Sequence, residues 1–165
     1  MGCGSSVFSA YTVKEVEAEI ANLAPHLPVA VLMNSGIIKL EGANGFFNSN
    51  SLLDPNWLKG KMTPQEYYEA TDYINKCTAH THVSLSKIYL GSERAMREQL
   101  RVQAGMPAVG QINRQHSSVR FTYQQTAENI QMNTSWSTDP AVRLAQRGKA
   151  PIDHASITVL YISVN

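Results

Sequence analysis

The chain is poor in the residues that would place it in several common classes. Of its 165 residues only 16% are charged, too few for a long coiled coil, and 43% are hydrophobic, too many for a disordered tail. Lysine and arginine number 14 against 13 acidic residues, so the formal net charge is +1 and no basic surface for tracking phosphates is expected; nucleic acid is excluded as a partner on that ground. No stretch reaches the roughly 18 to 20 apolar residues that cross a bilayer. The first residues lack the charged and apolar regions of a secretory signal, so export by that route is not expected. There are two cysteines, Cys3 and Cys77, and the position of Cys3 argues against a disulfide framework; a reducing compartment is the expectation. Asn133-Thr134-Ser135 matches the glycosylation sequon, which has no consequence in the cytosol.

What is present begins at the N-terminus. Met1-Gly2-Cys3-Gly4-Ser5-Ser6 satisfies the N-myristoylation pattern, in which Gly2 becomes the acceptor after methionine removal and Ser6 completes recognition. One myristoyl chain binds membranes only marginally, and stable anchoring needs a second signal. A polybasic patch cannot supply it, because no lysine or arginine precedes Lys14. Cys3 is the one nearby thiol, and an S-palmitoyl chain there would add on the order of 10 kcal/mol of gross transfer free energy at about 0.8 kcal/mol per methylene. Residues 1–11 are therefore expected to be an acylated, flexible anchor, and residues 12–165 a single domain of ordinary size.

Within that domain Thr12 and Glu15 form a capping box ahead of Val13, Val16, Ile20 and Leu23, which predicts a short amphipathic helix stopped by Pro25 and Pro28. Val29–Met33 and Ile37–Leu40, separated by Asn34-Ser35-Gly36, predict a β-hairpin. Gly42–Asn56 reads as a loop laid on the core, with Phe46-Phe47 exposed within it. Thr63-Pro64-Gln65-Glu66 is the clearest helix start in the chain, with Tyr67, Ala70, Thr71, Ile74 and Cys77 forming the buried stripe. A further helix is expected from Glu93 to Gln103, ended by Gly105 and Pro107. Val119, Phe121 and Tyr123, then Ile130, Met132, Thr134 and Trp136, alternate as a second hairpin would, although Thr122–Met132 also fits a one-sided helix. One or two helical turns are expected over Pro140–Gln146, and Ile157–Val164 is a β-branched run suited to a buried strand. The expected fold is a small α+β domain with β-hairpins, two to three helices and a C-terminal buried strand.

Few residues carry a chemical signal. Cys77, His80 and His82, with His116 or His154, are the sole candidates for a zinc site, and their spacing matches no ligand pattern. A Cys77 nucleophile with a histidine base is the matching enzyme reading, against which stands the place of Cys77 on the apolar stripe, where a core thiol is expected. The glycines form no phosphate-binding loop. Catalytic, cofactor-binding and metal residues are all expected to be absent.

Leu58-Lys59-Gly60-Lys61-Met62-Thr63-Pro64-Gln65-Glu66-Tyr67, followed by Ile74-Asn75-Lys76-Cys77 and later by Thr138-Asp139-Pro140 before the closing strand, resembles the accessory-subunit family of DHHC-type protein palmitoyltransferases, which includes the partner of the Ras palmitoyltransferase and Golgi-associated relatives. The likeness spans about two thirds of the chain. It implies a cytoplasmic, acylated, non-catalytic protein on the plasma membrane or Golgi that stabilises a multi-spanning acyltransferase. It also implies that Leu58, Gly60, Thr63, Glu66, Tyr67, Ile74 and Asn75 define the fold beside the partner surface. The relatives carry a long apolar, cysteine-bearing helix where Val83–Ser118 here is polar. A generic lipidated scaffold, an injected effector exploiting the host's acylation, and a small Cys/His enzyme or metal-binding protein are the alternatives.

Overall fold

The structure is a computed structural model, and it describes residues 27–43, 45–81, 91–133 and 152–165. The acylation residues Gly2, Cys3 and Ser6, the helix expected after Thr12, and the turns over Pro140–Gln146 lie outside the described residues, as do Thr134 and Trp136. The described residues form a four-stranded antiparallel sheet with two α-helices, an α+β fold. The strands are β1 (Val31–Leu32), β2 (Ile38–Ala43), β3 (Val119–Asn133) and β4 (Ile152–Val164), in spatial order β1-β2-β4-β3. The helices are α1 (Pro64–Thr78) and α2 (Gly91–Gln115).

The first hairpin forms as its turn residues dictate. Gly36 takes φ +82°, closed to most side chains, and Met33 N–H donates to Ile37 O at 2.8 Å. β2 then pairs with β4 from Ile38↔Ile162 to Ala43↔Ile157. Alternation places Ile38, Leu40, Leu160 and Ile162 on one face, all 0% exposed, and this face forms a single core with Tyr67 and Ile74 of α1 and Val109 and Ile112 of α2. The expected buried C-terminal strand is thus the inner strand that joins the N-terminal hairpin to β3.

Between β2 and α1, Asp54 caps a 3-10 turn, Pro55–Leu58, by accepting from Asn56 N–H at 2.9 Å. Lys59 (φ 52°) and Gly60 (φ +70°) reverse the chain into α1. There the capping box is complete: Glu66 N–H donates to Thr63 Oγ1 at 3.1 Å and Thr63 N–H to Glu66 Oε2 at 2.8 Å. These bonds to the charged form hold the Glu66 carboxyl below its usual range.

Three local readings are corrected. Phe46 and Phe47 are each 1% exposed, not displayed in a loop; Phe47 meets the Tyr123 ring edge-to-face with centroids 6.2 Å apart. The alternating segment from Val119 is neither a hairpin nor a helix but one strand, β3, paired along its length with β4, with a register shift between Gln125 and Asn129. Each half needs β4 as its partner, and β4 is distant in sequence.

The third correction concerns α2, which runs through Gly105 and Pro107 to Gln115. Gly105 is there for a close approach, since a Cβ on it would meet Tyr123 Cζ at 2.5 Å. Pro107 lacks the N–H to bond the carbonyl one turn back, but Met106 and Pro107 are exposed, so water can satisfy that carbonyl. Gly105→Ala is therefore expected to lower stability by about 1–3 kcal/mol despite the better helix propensity of alanine. Gly110→Ala, whose Cβ would meet only Arg114 Nη1 at 3.6 Å, should raise it by roughly 0.5–1 kcal/mol. Thermal melts of the two variants moving in opposite directions would check the account.

Candidate functional site

Two residues between Leu58 and Asn75, namely Tyr67 and Asn75, fix the segment Gly45–Ser51 between β2 and the 3-10 turn. Asn75, 1% exposed on α1, clamps the Phe47 backbone from both sides: its Nδ2 donates to Phe47 O and its Oδ1 accepts from Phe47 N–H, both at 2.8 Å. Two turns earlier on the same face, the Tyr67 hydroxyl and the Ser51 hydroxyl share a bond of 2.7 Å inside the core. Burial pushes the Tyr67 phenol up to about 12, the Ser51 bond opposing this in part. Leu58 and Ile74 are 0% exposed and fill the space below. Gly60 has nothing within 4 Å of a would-be Cβ, so its backbone conformation explains it. Leu58, Gly60, Thr63, Glu66, Tyr67, Ile74 and Asn75 therefore all build local structure.

The clamp reaches the sheet edge. Ser51 O accepts from Ala30 N–H at 3.0 Å, so α1 holds Ser51, and Ser51 holds the start of the first hairpin. Beyond this contact β1 is exposed, with Val29 at 44%, Val31 at 57%, Leu32 at 41% and Met33 at 39%, and Leu53, two residues past Ser51, at 62%. A rigid frame thus carries an apolar edge. The opposite edge is differently finished: Asn113 on α2 accepts from Phe121 N–H at 2.7 Å and donates to Phe121 O at 3.0 Å, which occupies the outer hydrogen-bonding groups of β3 at that point.

A second buried polar group lies where α2, β3 and Gly45 meet. Arg101 is 3% exposed, and a Cβ on Gly45 (φ +85°) would collide with its side chain. Tyr123 beside it is 5% exposed, and burial pushes its phenol up to about 12, with the Arg101 charge and Thr158 opposing. The Thr158 hydroxyl donates to Gln125 Oε1 at 3.0 Å, and by distance and angle the Tyr123 hydroxyl has no hydrogen-bond partner among the described residues. Sequence reasoning missed Asn113, Arg101 and Ser51; Ser51 and Arg101 meet residues distant in the chain, and Asn113 meets Phe121 across the turn from α2 into β3.

Cys77 sits on the buried face of α1 at 5% exposure, as its stripe position predicts, but it is disulfide-bonded, which corrects both the expected core thiol and the expectation of a reduced chain without a disulfide. A disulfide sulfur offers no thiolate for nucleophilic attack. His82 lies outside the described residues, and among the described residues no three of His, Cys, Asp and Glu gather as metal ligands. No described helix is long and apolar enough to cross a membrane. Comparison with protein-family models, with curated proteins and with solved structures finds no match.

Proposed function

We propose that this protein is a membrane-tethered, non-catalytic adaptor, held at the cytoplasmic face of the plasma membrane or Golgi by a myristoyl chain on Gly2 and a palmitoyl chain on Cys3, and acting as a stabilising subunit of a multi-spanning protein palmitoyltransferase. The observation that carries the reading is the N-terminal hexapeptide, in which an acceptor glycine, a recognition serine and an adjacent cysteine coincide with a lack of basic residues up to Lys14. The family-like pattern from Leu58 to Asn75 supports the choice of partner. In the described fold Tyr67 and Asn75 of this segment fix a loop that reaches a sheet edge, a use that suits a scaffold.

Fractionation of wild type, Gly2→Ala and Cys3→Ser in a eukaryotic cell, with intact mass to count acyl groups, tests the anchor. Wild type should pellet with two chains, Gly2→Ala should be soluble and Cys3→Ser mostly released; three soluble, unmodified proteins would end the reading. Cys77 is disulfide-bonded and Cys3 is the other cysteine of the chain. Since one sulfur cannot hold both a disulfide and a thioester, thiols should also be counted on unreduced protein. Recovery of a DHHC-type acyltransferase with the acylated chain supports the partner; acylation without that enzyme leaves a lipidated scaffold of another kind.

A further inference from the structure

The sheet edge at β1 is finished in a way that calls for an occupant. Met33 N–H donates to Ile37 O, so Met33 and, two residues back, Val31 point their backbone groups toward β2, where Val31 is opposite Lys39. Ala30 and Leu32 therefore point theirs outward. Ala30 N–H is taken by Ser51 O, which leaves the C=O of Ala30 and the N–H and C=O of Leu32 directed at the outer edge. Edge strands in water are commonly guarded by charge, yet Leu27–Ile38 contains no charged residue. The nearest charges on β2, Lys39 and Glu41, neutralise each other at 3.2 Å.

Three kinds of occupant are conceivable, and the geometry separates them. A second copy of the chain, or an extended peptide added as a fifth strand, needs a ladder of main-chain bonds. The Ser51 cap leaves it one outward donor, Leu32 N–H, and two outward acceptors, the carbonyls of Ala30 and Leu32, too few for a ladder of any length. The apolar patch formed by Val29, Val31, Leu32, Met33 and Leu53 is on the order of 400 Å², about half of what each partner buries in a stable protein–protein contact. A lipid surface needs neither a register nor a self-complementary shape. It takes exposed Val, Leu and Met side chains into the acyl boundary while headgroups and water satisfy the Leu32 N–H and the two outward carbonyls. The patch starts at Val29, two residues into the described fold, and residues 1–26 before it carry Gly2 and Cys3.

We infer that the β1 edge, through Val29, Val31, Leu32 and Met33 with Leu53, is a lipid-contact surface that settles into the headgroup region of a neutral bilayer. This deepens the tethered-adaptor reading by giving the domain one orientation on the membrane, and without basic residues the contact is insensitive to salt.

The test removes the acyl chains so that its failure is separable from failure of the anchor. Full-length, unacylated protein with a C-terminal histidine tag is held on phosphatidylcholine vesicles doped with a nickel-chelating lipid, and amide exchange is followed with and without vesicles. Exchange over Val29–Asn34 should slow by about tenfold on vesicles, unchanged in high salt, while exposed Gln65 and Glu69 on α1 are unaffected. The double variant Val31→Lys, Leu32→Glu alters two exposed positions, so it should melt as the wild type does and lose the protection. Equal exchange with and without vesicles overturns the inference. Protection that appears without vesicles and grows with protein concentration also overturns it, in favour of self-association.

Discussion

Asn75→Leu is expected to lower the stability of this protein by roughly 2–6 kcal/mol, because two buried backbone groups lose their partners at once and each such loss costs about 1–3 kcal/mol. Leucine keeps the branched heavy-atom skeleton of asparagine but is bulkier, so no cavity is left and any packing cost adds to the lost hydrogen bonds. The Phe47 N–H and C=O each bond to Asn75 at 2.8 Å, and Phe47 itself is 1% exposed, so water has little access to replace them. For a chain of this length the corresponding fall in Tm is on the order of 10 °C. Asn113→Leu makes the same chemical change at Phe121, but that clamp is only partly buried and water can substitute; its cost should be about half as large. Calorimetric melts of the pair would rank them. Equal, small effects would mean that Phe47 finds other partners and that α1 does not hold the Gly45–Ser51 segment.

That expectation could not have come from the sequence. The Thr63–Glu66 capping box and the Asn34-Ser35-Gly36 turn were legible because their partners lie within a few residues, and the structure forms both. The stripe on α1 was legible for the same reason, since helical spacing alone places Tyr67, Ile74 and Cys77 on the buried side. What was misread depends on distant contacts. Phe46-Phe47 looks exposed among Gly, Asn and Ser until Asn75, 28 residues on, fixes the backbone beneath it. Gly105 resembles a helix stop until the Tyr123 ring is found against it. The two alternating halves of β3 suggest a hairpin because the strand that pairs with both, β4, follows many residues later. The candidate site divides likewise. The acylation motif is a pattern of adjacent residues that needs no fold to be noticed and lies outside the described residues, whereas the β1 edge emerges only when Ser51 is seen to cap Ala30 and leave Leu32 open.

The second large effect lies at alkaline pH. Tyr67 and Tyr123 both have phenols pushed by burial from 10.0 up to about 12 in the folded protein. In the unfolded chain they ionise near the ordinary value, so below about pH 10 both states hold the same protons and stability is flat. Above it the unfolded state loses protons that the folded state keeps, and stability falls by up to about 1.4 kcal/mol per pH unit for each tyrosine. By pH 12 the two together should remove roughly 5 kcal/mol, comparable with the whole stability of many domains. Denaturant melts at stepped pH should show the decline, with phenolate absorbance of these two rings appearing only as the fold is lost. Tyr123→Phe should remove about half of the slope with little other cost, because its hydroxyl has no hydrogen-bond partner among the described residues. Tyr67→Phe should remove a similar share of the slope but lower stability at neutral pH by about 1–3 kcal/mol, since it leaves the fully buried Ser51 hydroxyl without its 2.7 Å partner. The contrast bears on the site itself. If Tyr67→Phe also speeds amide exchange at Ala30, whose N–H rests on Ser51 O, then the rigidity of the β1 edge comes from α1 through Tyr67 and Ser51. Unchanged exchange there would show that the hairpin turn alone holds the edge.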